Sequence, residues 1–110
     1  MKNRFLKREY AIAVGKNIDY NNLDQQIFTV IKNGINYWVA DPFPIELDGT
    51  LYIFGEIFEY SKNKGSIGYT KLESGKFTPW KIVIREEYHL SFPNLIYIND
   101  QLYMCPEANE

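Results

Sequence analysis

The sequence holds a single cysteine, Cys105, and a single histidine, His89. One thiol excludes an internal disulfide and a thiolate metal cluster. The apolar neighbours of Cys105 make a buried structural thiol the expectation. No metal-ligand spacing, phosphate-cradling glycine loop or Ser/His/Asp arrangement is present, so neither metal nor cofactor is expected. Positive charge is scarce too: 12 Lys and Arg against 14 Asp and Glu leave a formal net charge of −2. That balance offers no basic field for nucleic acid. The one basic cluster, Lys2, Arg4, Lys7 and Arg8, reads as a solvated terminus. No apolar run is long enough to cross a bilayer. No continuous apolar segment and cleavage site follow the basic start, so no secretory signal is read and a cytoplasmic location is the expectation.

Aromatic side chains, by contrast, are abundant, with nine Tyr and seven Phe among 110 residues. Aromatic and β-branched residues suit a pleated surface, and the chain is long enough for one small core. Its organising stretch is Asp41-Pro42-Phe43-Pro44-Ile45-Glu46-Leu47-Asp48-Gly49-Thr50-Leu51-Tyr52-Ile53-Phe54-Gly55-Glu56. The pattern returns from Phe92 to Glu107: Pro42 matches Pro93, Ile45 matches Ile96, Leu51 matches Leu102, Tyr52 matches Tyr103 and Glu56 matches Glu107. The Asp48-Gly49 turn falls on Asn99-Asp100. Recurrence every 40–50 residues or so, with several strands per unit, marks a propeller.

The fold class expected is all-β, a partial five-bladed β-propeller with about one complete four-stranded blade and parts of its neighbours. Residues 9–40 supply preceding strands, 41–85 the complete blade and 86–110 the first half of the next. In the first part, Glu9 to Val14 is a strand ended by Gly15. Ile27 to Ile31 is a second strand, with Asn33-Gly34 as a hairpin turn and Ile35 to Ala40 as the return strand. A helix around Asn22 to Ile31 is the alternative, opposed by Thr29, Val30 and Ile31. The blade follows as Phe43 to Leu47, Leu51 to Phe58, Ser66 to Leu72 and Lys81 to Arg85. Glu86 to Ser91 is read as a crossing, followed by Asn94 to Ile98 and Gln101 to Cys105. Gly65 and Gly68 read as strand-edge glycines. Two strands of a second blade leave an open edge. The remaining blades are therefore expected from a longer chain or from other subunits, and the sequence is read as a fragment.

Residues that precede an inner strand face the mouth of a propeller channel. Asp41 and the segment around His89 and Phe92 occupy such positions. A carboxylate from one blade and an aromatic group from its neighbour suit a sugar, by hydrogen-bonding its hydroxyls and stacking on its apolar face. Phe43, Phe92, Trp38, His89 and Glu56 are the candidate ligand-binding residues. Each also has a structural reading: an Asx-type turn for Asp41, a turn hydrogen bond for His89, inter-blade packing for Trp38 and Trp80, and a repeated structural role for Glu56 and Glu107.

Trp38-Val39-Ala40-Asp41-Pro42-Phe43, the Asp-Gly turn and Leu51-Tyr52-Ile53-Phe54 resemble the first blade of the five-bladed propellers of glycoside hydrolase family 43, whose fold families 32 and 68 share. Ala40 to Phe43, Lys64-Gly65-Ser66-Ile67-Gly68-Tyr69, Tyr88 to Pro93 and Tyr103-Met104-Cys105-Pro106-Glu107 together resemble more narrowly the N-terminal propeller domain of glucosamine inositolphosphorylceramide transferase-like proteins. The resemblance implies a carbohydrate-active domain, either glycoside hydrolase-like or associated with glycosyl transfer, with a carbohydrate as substrate or ligand. It would make Asp41 a general base. The acid expected of the hydrolase family lies on later blades, and Glu107 is the weak stand-in. The alternatives are a non-catalytic glycan-binding or accessory domain of a transferase, and an oligomer-forming β fragment.

Overall fold

A computed structural model describes residues 9–109, and every regular element in it longer than three residues is a β-strand. The strands are β1 (Ile12–Gly15), β2 (Phe28–Ile31), β3 (Tyr37–Leu47), β4 (Thr50–Glu59), β5 (Lys64–Glu73), β6 (Lys76–Phe77), β7 (Lys81–Ile84), β8 (His89–Ile98) and β9 (Gln101–Asn109). They form three antiparallel groups: the β1–β2 hairpin, a central sheet in the order β3-β4-β5 with β6 and β7 both on β5, and the β8–β9 hairpin. The basic cluster at Lys2 to Arg8 lies outside the described residues.

Three tight turns set the registers. Asp48-Gly49, Ser74-Gly75 and Asn99-Asp100 all hold positive φ at both central residues (50° and 77°, 51° and 78°, 50° and 62°). This is the two-residue hairpin conformation whose twist matches the strands it joins. The register then places alternate residues of β4 on opposite faces. Ile53 and Ile57 face β1 and β2, where they form the core with Val39, Trp80, Ile12 and Ile31. Full burial of each such aliphatic side chain contributes about 1.5–3 kcal/mol. Phe54, Glu56 and Phe58 lie on the other face, against which β8 packs.

The two long hairpins repeat one irregularity. β3 bulges between Ala40 and Phe43, and β8 bulges between Ser91 and Asn94. Asp41 (φ 53°) and Phe92 (φ 50°) occupy the left-handed region at these bulges, each followed by proline. Left-handed backbone is tolerated by Asp but strained for a bulky aromatic residue. Opposite each bulge, Glu56 faces Ala40 and Glu107 faces Ser91. The sequence repeat is thus a repeat of bulged hairpins.

Several expectations are corrected. Tyr37 to Ala40 does not return along β2 through Asn33-Gly34: it is the start of β3 and pairs with Glu56 to Glu59, while β2 pairs with β1. The aromatic pair Trp38 and Phe58, stacked at 4.7 Å, favours this longer hairpin. The helix weighed for Asn22 to Ile31 is only a 3-10 turn at Leu23–Gln25. His89 is the first residue of β8 rather than part of a crossing. Gly65 and Gly68 are buried within β5, not at a strand edge. Cys105 is exposed, because among the described residues nothing packs over the side of the β8–β9 hairpin on which it lies.

Candidate functional site

Glu56 is the least expected residue in the molecule, a carboxyl in an apolar strand with only 6% of its surface exposed. Three features make room for it. Ala40, its cross-strand neighbour on β3, is small. Gly65 on β5 carries no side chain, and a Cβ there would lie 2.7 Å from Glu56 Oε1 and 2.4 Å from the Leu90 carbonyl oxygen. The bulge then turns Asp41 towards the same carboxyl.

The polar partners of Glu56 come from the strands on either side. His89 Nε2 lies 3.1 Å from Glu56 Oε1. The backbone N–H of Gly65 donates to His89 Nδ1 at 2.9 Å. An Nδ1 that accepts carries no proton, so the proton of the neutral ring sits on Nε2, the nitrogen nearer Glu56. The second neighbour is the Asp41 carboxyl, hydrogen-bonded to Glu56. Burial, then the hydrogen bond with Asp41 and its negative charge, push the Glu56 carboxyl from 4.5 up to about 8. Two adjoining carboxyls resist ionising together. At neutral pH Glu56 therefore holds its proton.

This chain opens on a cleft of about 500 Å³ lined by Tyr10, Trp38, Ala40, Asp41, Pro42, Glu56 and residues 11–13. Tyr10 and Trp38 form its aromatic wall, with ring centroids 5.2 Å apart. A second cleft, about 470 Å³, lies on the far side of His89, between Lys62, Asn63, Lys64, Glu87, Tyr88 and Asn109. A larger groove of about 1030 Å³ runs between β1–β2 and the β5–β6 turn. It is mainly apolar and contains none of the residues selected from the sequence.

Asp41, Glu56 and His89 come together in one cluster of adjoining polar side chains, and Trp38 stands beside it. Phe43 and Phe92 meet each other edge-on at 5.3 Å, joining the two bulges across the sheets, but neither lines the Asp41 cleft. Glu107 is exposed on β9 and makes none of the hydrogen bonds or ion pairs found among the described residues. Tyr10 and Gly65 were not selected from the sequence. Tyr10 gave no signal, since it is brought in by its own carbonyl accepting from the Val39 N–H. For Gly65 the signal was a glycine in an otherwise regular strand, a mark of close approach. Among the described residues no group of three or more His, Cys, Asp or Glu side chains is arranged to hold a metal ion. No helix among them is long and apolar enough to cross a membrane.

Comparison with known proteins gives a consistent family signal. The family profile described as "Glucosamine inositolphosphorylceramide transferase 1, N-terminal" matches residues 27–110. Glucosamine inositolphosphorylceramide transferase 1 of Arabidopsis thaliana is 39% identical over 75 residues, covering 66% of this chain and 10% of that protein. The proteins of the same name from Oryza sativa subsp. indica and subsp. japonica are each 35% identical over 77 residues, with the same coverage. The matched stretch is thus about a tenth of the length of these curated relatives. No solved structure matches.

Proposed function

Because the chain belongs to the family of the N-terminal region of glucosamine inositolphosphorylceramide transferase 1, we propose that it is a carbohydrate-binding domain associated with glycosyl transfer. The observation that carries this reading is the Asp41–Glu56–His89 cluster at the mouth of the aromatic-walled cleft. Fixed carboxyl acceptors beside aromatic rings provide what a sugar needs, polar groups for its hydroxyls and a flat apolar surface for its C–H face. In the same reading the central sheet, which begins at Tyr37, is one blade of a five-bladed propeller, and the β1–β2 and β8–β9 hairpins belong to the blades on either side. The further blades come from a longer chain or from other subunits.

A direct hydrolytic role fits less well. Inverting glycosidases hold their two carboxyls about 6.5–9.5 Å apart and retaining ones about 5–5.5 Å, with the scissile bond between them. Asp41 and Glu56 are hydrogen-bonded to each other, which leaves no room for a sugar between them. A second reading, with Asp41 as general base and an acid supplied from elsewhere, is favoured only by the protonated neighbour that holds Asp41 in place. A panel of monosaccharides and oligosaccharides titrated into the whole chain by calorimetry tests the main reading. Binding that Asp41→Asn weakens at least tenfold supports it. Asn tolerates the left-handed backbone at this position. No heat with any sugar, or heat indifferent to that substitution, refutes it. Release of reducing sugar would instead support the hydrolytic reading.

A further inference from the structure

We propose that the groove between the β1–β2 hairpin and β6 receives an acidic peptide in extended conformation, which adds as a strand to the free edge of β2. This site is separate from the Asp41 cleft, and the proposal does not depend on the carbohydrate reading. The groove holds about 1030 Å³, and its floor is the open side of the core, where Val14, Tyr37, Leu51 and Phe77 pack against the buried cluster. Ile27, Val30 and Leu72 also line it, with 83%, 58% and 38% of their surface exposed. Apolar surface of this kind, rimmed by polar groups, marks an interaction site.

Two further observations identify the occupant. Thr29, Val30, Ile31 and Lys32 all line the groove. Successive side chains of a strand point to opposite faces, so a groove that touches four in a row follows the backbone edge itself. β2 pairs with β1 alone, and among the described residues its outer N–H and C=O groups meet no backbone partner. Every second residue of an edge strand offers both groups outward, at a spacing that another extended backbone matches and an acyl chain does not. The second observation is charge. Lys16, Lys32 and Lys76 line the groove, no Asp or Glu lines it among the described residues, and the sequence before residue 9 contains none. None of the three lysines is in an ion pair among the described residues, and Glu73, across from Lys76, is paired with Lys71 at 3.1 Å. Lys16 follows Gly15, which faces Phe28, and Lys32 follows Ile31, so the two lie near opposite ends of β2. At about 3.3 Å per residue, about five residue steps separate their backbone positions by roughly 17 Å. A peptide with carboxylates at that spacing and apolar side chains between them fits both the edge and its charges.

Amide chemical-shift mapping on the whole chain, with the capped hexapeptide Glu-Val-Thr-Val-Thr-Glu, tests the proposal. Saturable shifts at Thr29, Val30, Lys32 and Phe77 are expected, with Asp41 and Glu56 unmoved. No saturable shift, or shifts centred on Asp41, overturns it. The same peptide with Lys at both ends should bind at least about tenfold more weakly, since like charges then meet at both ends of β2. Equal binding of the two overturns the acidic partner. Methylating alternate peptide amides, in each of the two possible phases, should abolish binding in at least one; binding that survives both overturns strand addition. Lys32→Glu should weaken the acidic peptide and strengthen the lysine one, with the fold retained by circular dichroism. Affinities that this substitution leaves unchanged overturn the site. Dodecanoate that moves the same amides while the peptide moves none overturns the proposal in favour of an anionic amphiphile.

Discussion

Replacing Glu56 by Gln removes an ionisable group while keeping an acceptor for His89 Nε2–H and a donor for Asp41. In the unfolded chain Glu56 titrates near 4.5; in the fold burial and Asp41 raise it to about 8. Between these values the folded state binds a proton that the unfolded state has released. Stability must therefore fall as pH rises through this window, and level off above it. One proton corresponds to about 1.4 kcal/mol per pH unit, so the ceiling between pH 5 and 8 is about 4 kcal/mol. The other titrating groups act in both proteins, so the difference between native and Glu56→Gln isolates this carboxyl. Urea unfolding at pH 5, 6, 7 and 8 measures it, with the midpoint shifting at unchanged slope. The variant should gain stability relative to the native chain from pH 5 to pH 8. A difference that is flat, or that runs the other way, would refute the buried protonated glutamate.

Gly65→Ala places a methyl 2.4 Å from the Leu90 carbonyl oxygen and 2.7 Å from Glu56 Oε1. Overpacking against backbone should cost about 1–3 kcal/mol in urea unfolding, and a loss under about 0.5 kcal/mol would show that β8 does not pack where described. The exposed Cys105 thiol should react with a thiol reagent in the native protein; reaction only after denaturation would contradict the open face of the β8–β9 hairpin. Arg85 makes a two-pronged contact with Glu59, at 3.1 and 3.0 Å, on an exposed surface. Arg85→Ala should therefore cost no more than about 1 kcal/mol, and a much larger loss in the same unfolding assay would mean that the pair is buried.

The hairpins were legible because their turns are chemical signatures. Asp48-Gly49, Ser74-Gly75 and Asn99-Asp100 each take the conformation that Asn, Asp and Gly permit. Asn33-Gly34 carried the same signature and misled. There the aromatic cross-strand pair of Trp38 and Phe58 and the burial of Val39 outweigh the local turn preference. The repeat identified the matched positions of Asp41 and Phe92 but not the bulges, because the sequence of a bulge differs from that of a strand start only in its pairing. The convergence of Asp41 and His89 was expected, whereas Glu56 as the bridge between them was not. Its burial depends on Ala40 and Gly65 on the neighbouring strands, and such vacant volume is visible only when the strands are side by side. Cys105 was misjudged for the same reason: apolar neighbours along a strand do not reveal whether a sheet covers its face.

The central claim is that a sugar binds where Asp41, Glu56 and His89 meet, and amide chemical-shift mapping tests it most directly. Titrating the tightest-binding sugar of the calorimetric panel into the nitrogen-labelled chain should move the Ala40, Asp41, Glu56 and Gly65 amides and the Trp38 indole in one saturable transition. Shifts confined to the groove around Val30, Leu72 and Phe77, or no saturable shifts, would contradict the account.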